Sequence, residues 1–164
     1  MRIVVVSDTH LVGSVTTRLA KPLLTAIESC DLVLHAGDVT TRETLQELES
    51  LARVHCVLGN NDALLAGLVP EELLLELDGV KVAMIHDSGS RTGRAARLSR
   101  HFPDAHLVVY GHSHVPDDSE GLAGQLLFNP GSPTQRRAQP VRSYGVLELR
   151  DGTVALSEIR SLGS

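Results

Sequence analysis

Ile3-Val4-Val5-Val6-Ser7-Asp8-Thr9-His10 sets the grammar of the chain: a short β-branched run, then polar residues of metal-binding type. The run is too short for a helix and apolar throughout, which suits a strand buried on both faces. Working outward, a helical pattern runs from Leu23 to Ser29, with Pro22 in its first turn. Leu32-Val33-Leu34-His35 reads as a second strand. Thr40 or Thr41 can cap the next helix, whose Leu45, Leu48 and Leu51 share one face, and Val54 to Leu58 reads as a third strand. The order β-α-β-α-β predicts a parallel sheet with covering helices.

The second half changes style. Leu73 to Leu77, Asp78-Gly79 and Val80 to Ile85 read as a hairpin with a type I′ turn. Arg94 to His101 reads as a basic helix, followed by a buried strand over Leu107-Val108-Val109-Tyr110. Tyr144 to Leu149, Asp151-Gly152 and Val154 to Ile159 form a second hairpin. With no repeat, low-complexity tract or dividing linker, residues 1–164 are expected to form one α/β domain with a mixed sheet arrangement.

Composition narrows the function classes. Hydrophobic residues make up 42% and charged residues 21%, an ordinary globular balance. No apolar run approaches the ~20 residues needed to span a bilayer. The N-terminal segment turns acidic at Asp8 before an export core can form, and Cys30 and Cys56 both lie in apolar surroundings. A cytoplasmic protein is therefore expected. A net charge of −5 argues against stable nucleic-acid binding, and an aromatic content of 2% against base-stacking platforms. Neither excludes a small phosphorylated substrate, because a metal can supply local positive charge. Eight histidines are many for this length, and they are the first functional clue.

Five predicted strand ends share one pattern: Ser7-Asp8-Thr9-His10, His35-Ala36-Gly37-Asp38, Gly59-Asn60-Asn61-Asp62, His86-Asp87 and Gly111-His112-Ser113-His114. In α/β sheets, ligands bind beyond the carboxyl ends of strands, so five loops deliver donors to one rim. Each fragment alone fits an ordinary cap or turn; five together do not. Mixed Asp, His and Asn donors suit Mn, Fe, Zn, Co or Ni rather than Mg, Ca or a thiolate-bound zinc. Seven ligands exceed the needs of one open catalytic ion and fit two ions about 3.5–4 Å apart, bridged by a shared carboxylate. Such a site performs displacement at phosphorus or at a carbonyl.

This ordered set resembles the calcineurin-type metallophosphoesterases, and more narrowly their small bacterial and archaeal phosphodiesterases. The family pattern D-x-H, G-D, G-N-x-D/E, a lone His and G-H-x-H appears here as Asp8-Thr9-His10, Gly37-Asp38, Gly59-Asn60-Asn61-Asp62, His86 and Gly111-His112-Ser113-His114. Asn129-Pro130-Gly131-Ser132 is similar to the late turn of the small subfamily, and the likeness spans about residues 2 to 160. The resemblance implies a four-layer α-β-β-α sandwich of two mixed sheets flanked by helices. It implies that Asp8, His10 and His114 hold one metal, that Asp38 bridges, and that Asn60, His86 and His112 complete the second site. It further implies a phosphodiesterase with two divalent ions, Mn2+ first and Ni2+, Fe, Zn2+ or Co2+ as alternatives, and a bridging hydroxide as nucleophile. The substrate would be a small phosphodiester, nucleotide-derived among the options, and the chain a homodimer or tetramer. The alternatives are a phosphomonoesterase, hydrolysis of a non-phosphate bond, and a non-catalytic protein-interaction scaffold, since one eukaryotic branch of the fold serves membrane-coat assembly. Leu64 to Val69 is the apolar segment a scaffold, lid or subunit contact would use.

Two departures bear on the substrate. Many relatives carry a His after the metal-binding Asn; here that position is Asn61, which can donate a hydrogen bond but cannot act as a general acid. Asp62, which would orient that His, is left to anchor the loop or touch substrate, so Asn61 and Asp62 are the catalytic candidates. Asp87 stands where relatives commonly have Gly, placing an extra carboxylate beside the second metal. Among the remaining residues, His35 is expected to be packed or to support the ligands from behind, His55 to be structural, and His101 and His106 to lie at the surface or in turns. Arg91, Arg94, Arg97 and Arg100 are expected on a solvated helix face, Arg136 and Arg137 are lesser candidates to grip substrate, and Asn129 is expected to fix backbone near the site.

Overall fold

The computed structural model describes residues 1–164. β1 (Arg2–Val6), α1 (Val15–Arg18), α2 (Lys21–Glu28), β2 (Leu32–His35), α3 (Arg42–Leu51) and β3 (Val54–Cys56) form the first half. A 3-10 turn (Ala63–Leu65) leads to β4 (Glu72–Leu77), β5 (Val80–Ile85), α4 (Arg94–His101) and β6 (Leu107–Val109). β7 (Asp117–Glu120), β8 (Leu126–Asn129), β9 (Ser143–Arg150) and β10 (Thr153–Ser161) complete the chain.

Two mixed five-stranded sheets result, ordered β10-β9-β1-β2-β3 and β4-β5-β6-β8-β7. In each sheet three adjacent strands run parallel, β1, β2 and β3 in the first and β5, β6 and β8 in the second. Strand alternation explains the layering. Ile3 and Val5 face the other sheet and pack with Leu34, Val82, Met84, Val109 and Phe128. Val4 and Val6 face outward onto Leu23 and Ile27 of α2 and Leu48 of α3. On the far side, Ala83 and Val108 meet Leu98 of α4 and the following Phe102. The molecule is thus the expected α-β-β-α sandwich, and the unbroken apolar runs follow from strands buried on both faces.

Both hairpins turn where expected, with Asp78-Gly79 at φ 49° and 77° and Asp151-Gly152 at φ 50° and 77°. Thr41, not Thr40, caps α3, accepting the Thr44 N–H at 3.2 Å. Thr40 instead takes a left-handed φ of 83° and belongs to the site. The third strand stops at Cys56 rather than Leu58, because the chain must then turn towards Gly59. Three elements had no legible signal. β7 is a polar edge strand, Asp117-Asp118-Ser119-Glu120, defined by pairing with β8 rather than by apolar alternation. β8 itself is only four residues long, buried from Leu127 to Asn129. α1 is a single turn whose free N–H groups are taken by the Glu47 carboxylate, from Val15 at 2.8 Å and Thr16 at 3.3 Å. No helix is long and apolar enough to cross a membrane.

Candidate metal centre

The carboxyl ends of β1, β2, β3, β5 and β6 emerge on one edge of the sandwich, and each loop there is held by its neighbour. Asp8 N–H donates to the Gly37 carbonyl at 2.9 Å, His10 N–H to that of Asp38 at 3.0 Å, and Gly111 N–H to that of His86 at 3.0 Å. Asp8, His10, Asp38, Thr40, His112 and His114 all adopt positive φ, between 43° and 83°. For residues with a Cβ this costs of order 1–2 kcal/mol each, and the bonds between loops must offset it. Two motif glycines explain how the loops approach so closely. A Cβ on Gly59 would lie 2.2 Å from the amide and carboxylate of Asp38, and one on Gly111 would lie 1.8 Å from Ser7 Oγ.

The seven sequence-derived metal candidates come together. Asp8 Oδ1 lies 3.3 Å from His114 Nε2, 3.9 Å from His10 Nε2 and 4.0 Å from His86 Nε2. Asp38 Oδ2 lies 3.5 Å from both His10 Nε2 and His86 Nε2. His86 Nε2 is 3.0 Å and His112 Nδ1 2.9 Å from Asn60 Oδ1. Asp8, His10 and His114 converge tightly enough to share one ion, as do Asp8, Asp38 and His86.

The donor atoms pass a test of fit. Asp8 Oδ1, His10 Nε2 and His114 Nε2 are buried without hydrogen-bond partners, an arrangement that is costly unless a cation occupies the space between them. The imidazoles are also aimed. His86 Nδ1 lies 2.7 Å from the Ala36 carbonyl and His114 Nδ1 2.6 Å from that of Gln135. Carbonyls only accept, so each Nδ1 carries the proton and each Nε2 turns a lone pair into the site.

Electrostatics point the same way. Burial alone would raise the Asp8 pKa, but the close His114 imidazole, the hydrogen bond from Ser7 and the nearby His86 bring it below the ordinary carboxylate value. Burial holds His10 below the ordinary imidazole value against the pull of Asp38 and Asp8, keeping it neutral and able to ligate. His35, fully buried beneath the loops, is pushed down to about 4 by burial. Its Nδ1 accepts the Gly37 N–H at 3.2 Å, so Nε2 donates to Thr9 Oγ1 at 3.1 Å.

Asn61 and Asp62 take different positions around Asp38. Asn61 donates both its backbone N–H, at 2.8 Å, and its carboxamide, at 2.7 Å, to the Asp38 carboxylate. Asp62 is wholly buried and accepts from the N–H groups of Asp38 at 2.8 Å, Gly59 at 2.7 Å and Thr40 at 2.6 Å. It ties two ligand-bearing loops together from beneath. Asn129 donates to the Gly111 carbonyl at 3.0 Å. Asp87 lies exposed and accepts the Gly89 N–H at 2.8 Å. Arg94 and Arg97 depart from the expected solvated face. Arg97 donates to the Ser88 and Ser90 carbonyls, each at 2.6 Å, and Arg94 stacks 4.9 Å from the Tyr110 ring centre. His101 pairs with Glu72 at 2.7 Å.

Sequence reading missed several supports. Ser7 Oγ donates to Asp8 Oδ2 at 2.6 Å, Ser132 Oγ to the Asp8 carbonyl at 2.7 Å, and Thr134 Oγ1 to the Thr9 carbonyl at 2.7 Å. Ser132 lay within the quoted late turn; Ser7 and Thr134 are ordinary residues whose roles arise only from the fold.

Comparison with known proteins agrees with this geometry. Residues 1–152 match the family model of the calcineurin-like phosphoesterase superfamily domain. A probable metallophosphoesterase of Methanothermobacter thermautotrophicus is 36% identical over 168 residues, covering 100% of this chain and 94% of that one. The structure of Entamoeba histolytica Vps29 complexed with zinc superposes with a TM-score of 0.76 at 22% identity, covering 99% of each chain. That of a novel archaeal phosphodiesterase superposes with a TM-score of 0.74 at 22% identity, over 99% of this chain and 100% of that one. At that identity the last two show a shared fold.

Proposed function

Because this chain belongs to the calcineurin-like phosphoesterase superfamily, we propose that residues 1–164 form one metallophosphoesterase domain, a cytoplasmic hydrolase of small phosphodiesters with a dinuclear metal centre. The observation that carries this reading is the unbroken series of seven donors, each 2.9–4.0 Å from the next, with three buried donor atoms lacking any other partner. Asp8, His10 and His114 would hold one ion, Asn60, His86 and His112 the other, with Asp38 between them. Two divalent ions held there would lend positive charge that activates water near neutral pH and offsets the charge of the phosphoryl oxygens. The mixed oxygen and nitrogen donors favour Mn2+, with Ni2+, Fe, Zn2+ and Co2+ as alternatives.

The chain's own residues do the positioning. The Ala36 and Gln135 carbonyls fix the tautomers of His86 and His114. Asn61 orients the Asp38 carboxylate through two hydrogen bonds, and Asp62 holds the backbone of both loops. Asn61 has no acidic proton to give a departing oxygen, so leaving groups of low pKa are favoured. An exposed apolar feature favours the second reading, a non-catalytic scaffold of the same fold: Leu64 and Leu68 are 74% and 59% exposed beside the Asn60 loop. The complete donor set favours the enzyme.

The test is turnover of an aryl phosphodiester and its monoester by metal-stripped protein, with Mn2+, Ni2+, Zn2+ and Mg2+ restored separately. Activity restored by a transition metal, faster on the diester, and reduced about a thousandfold by Asp38→Ala supports the proposal. Tight metal binding without turnover of either ester would move the assignment to the scaffold.

A further inference from the structure

Two clefts flank the metal centre, and their charges are opposite. The first, about 360 Å3, is lined by His10, Leu11, Val12, Arg18, Thr134, Gln135 and Arg142. The second, about 290 Å3, is lined by Asn60 and His86 together with Glu71, Glu72 and Asp87. The first thus carries two guanidiniums and no carboxylate, and the second three carboxylates and neither lysine nor arginine. Each opens directly onto candidate metal ligands.

The arginines of the first cleft lack aspartate or glutamate partners in a chain whose acids outnumber its lysines and arginines, 20 to 15. Neither Arg18 nor Arg142 pairs with a side-chain carboxylate. Arg142 is half-buried, donates through Nη2 to the Ser164 carbonyl at 3.1 Å, and has a buried Nε with no acceptor. The guanidinium of Arg142 is thus incompletely satisfied, and an anion in the cleft adds charge-assisted hydrogen bonds to it. Arg18 ends α1, the single turn pinned by the Glu47 carboxylate, so its backbone is fixed at the cleft mouth. Two guanidiniums from separate elements match a phosphate, which carries about −1.5 to −2 charges at pH 7, better than a single carboxylate.

We propose that the Arg18–Arg142 cleft receives a second phosphate of the substrate, which is then a phosphodiester carrying a further phosphate and bound with that group on the His10 side. This inference rests on the phosphoesterase reading and adds the substrate class and its direction across the centre. Glu71 and Asp87 repel the same phosphate from the opposite cleft, whose Glu72 is paired with His101, so charge favours the His10 side. The extra carboxylate of Asp87 thereby acts as a director of anionic substrates rather than a general barrier to them.

The experiment compares adenylyl-(3′→5′)-adenosine with its 5′-phosphorylated form, binding to metal-free protein measured by calorimetry. The native chain should bind the phosphorylated probe at least about tenfold more tightly. R18Q and R142Q should each narrow that ratio several-fold, and the double variant should bring it close to one, whereas R142K should retain most of it. Equal binding of both probes by the native chain, or a ratio unchanged in the double variant, overturns the proposal. Turnover with metal restored separates the two readings. Discrimination in the metal-free protein without turnover of either probe retains the phosphate cleft and removes the phosphodiesterase assignment. Turnover of both probes without discrimination does the reverse.

Discussion

The two ends of the sandwich use the same backbone conformation for opposite purposes. At one end, left-handed φ falls on Asp78-Gly79 and Asp151-Gly152, the residues that adopt it most readily, and the result is two tight hairpins. At the other end it falls on Asp8, His10, Asp38, Thr40, His112 and His114. There the conformation does not serve chain reversal; it points donors at one another. The hairpin end needs little support, and Gly152 N–H simply meets the Asp78 carbonyl at 2.9 Å. The site end needs Asp62, Ser132, Asn129 and two motif glycines beneath it. Strain of this kind persists only where the surroundings over-determine it.

The sharpest way to break this contrast is Asp62→Ala. Two buried N–H groups and the half-buried one of Thr40 lose their acceptor, and roughly 3–5 kcal/mol of stability should go with them. Urea unfolding of the metal-free protein reads that loss, and metal affinity should fall as well. If Asp62→Ala is as stable as the native chain, the loops do not depend on this anchor.

Gly111→Ala should come next. Its new methyl would overlap Ser7 Oγ and lie 2.8 Å from Asp8 Oδ2, so about 3 kcal/mol of destabilisation is expected. Weakened metal binding should accompany it, because Asp8 must move.

The pH dependence sharpens the comparison at similar size. The unfolded chain protonates His35 near 6.5, but the native state does so only near 4 because of burial. Between those values the unfolded state binds the additional proton, so stability is complete above pH 6.5 and falls as pH drops to 4. Converting the difference gives about 3 kcal/mol for the metal-free protein. Denaturation curves from pH 7 to 4 should show this fall, and His35→Gln should flatten it.

Gly152→Ala should have the smallest effect. The nearest atom to an added Cβ is 3.7 Å away, which leaves only the cost of φ 77°, about 1 kcal/mol. Its midpoint in urea should shift slightly, and turnover should match the native enzyme. A cost equal to that of Gly111→Ala would erase the distinction between the two ends.

What was legible in the sequence follows the same division. β5 and the two Asp-Gly turns appear where expected, because apolar alternation and turn chemistry are local properties. The motif residues could be recognised because each follows a strand within a few residues. β7 and β8 were not legible, since Asp117-Asp118-Ser119-Glu120 becomes a strand only through its partner. The supports of the site were equally hidden. Nothing local in Ser7 or Thr134 marks it as a donor to the Asp8 loop, and Arg97 looked solvated until the Ser88–Ser90 carbonyls folded over it. Asp38 is the point where these separate contributions meet, touching His10, His86 and Asn61 at once.

The central claim is that the strained end exists to hold two ions. Calorimetric titration of Mn2+ into metal-free protein, with bound metal counted after desalting, tests it most directly. Two ions per chain, with Asp38→Ala weakening both, is the predicted result. One ion or none, or an Asp38→Ala variant that still binds two ions as tightly as the native chain, would contradict it.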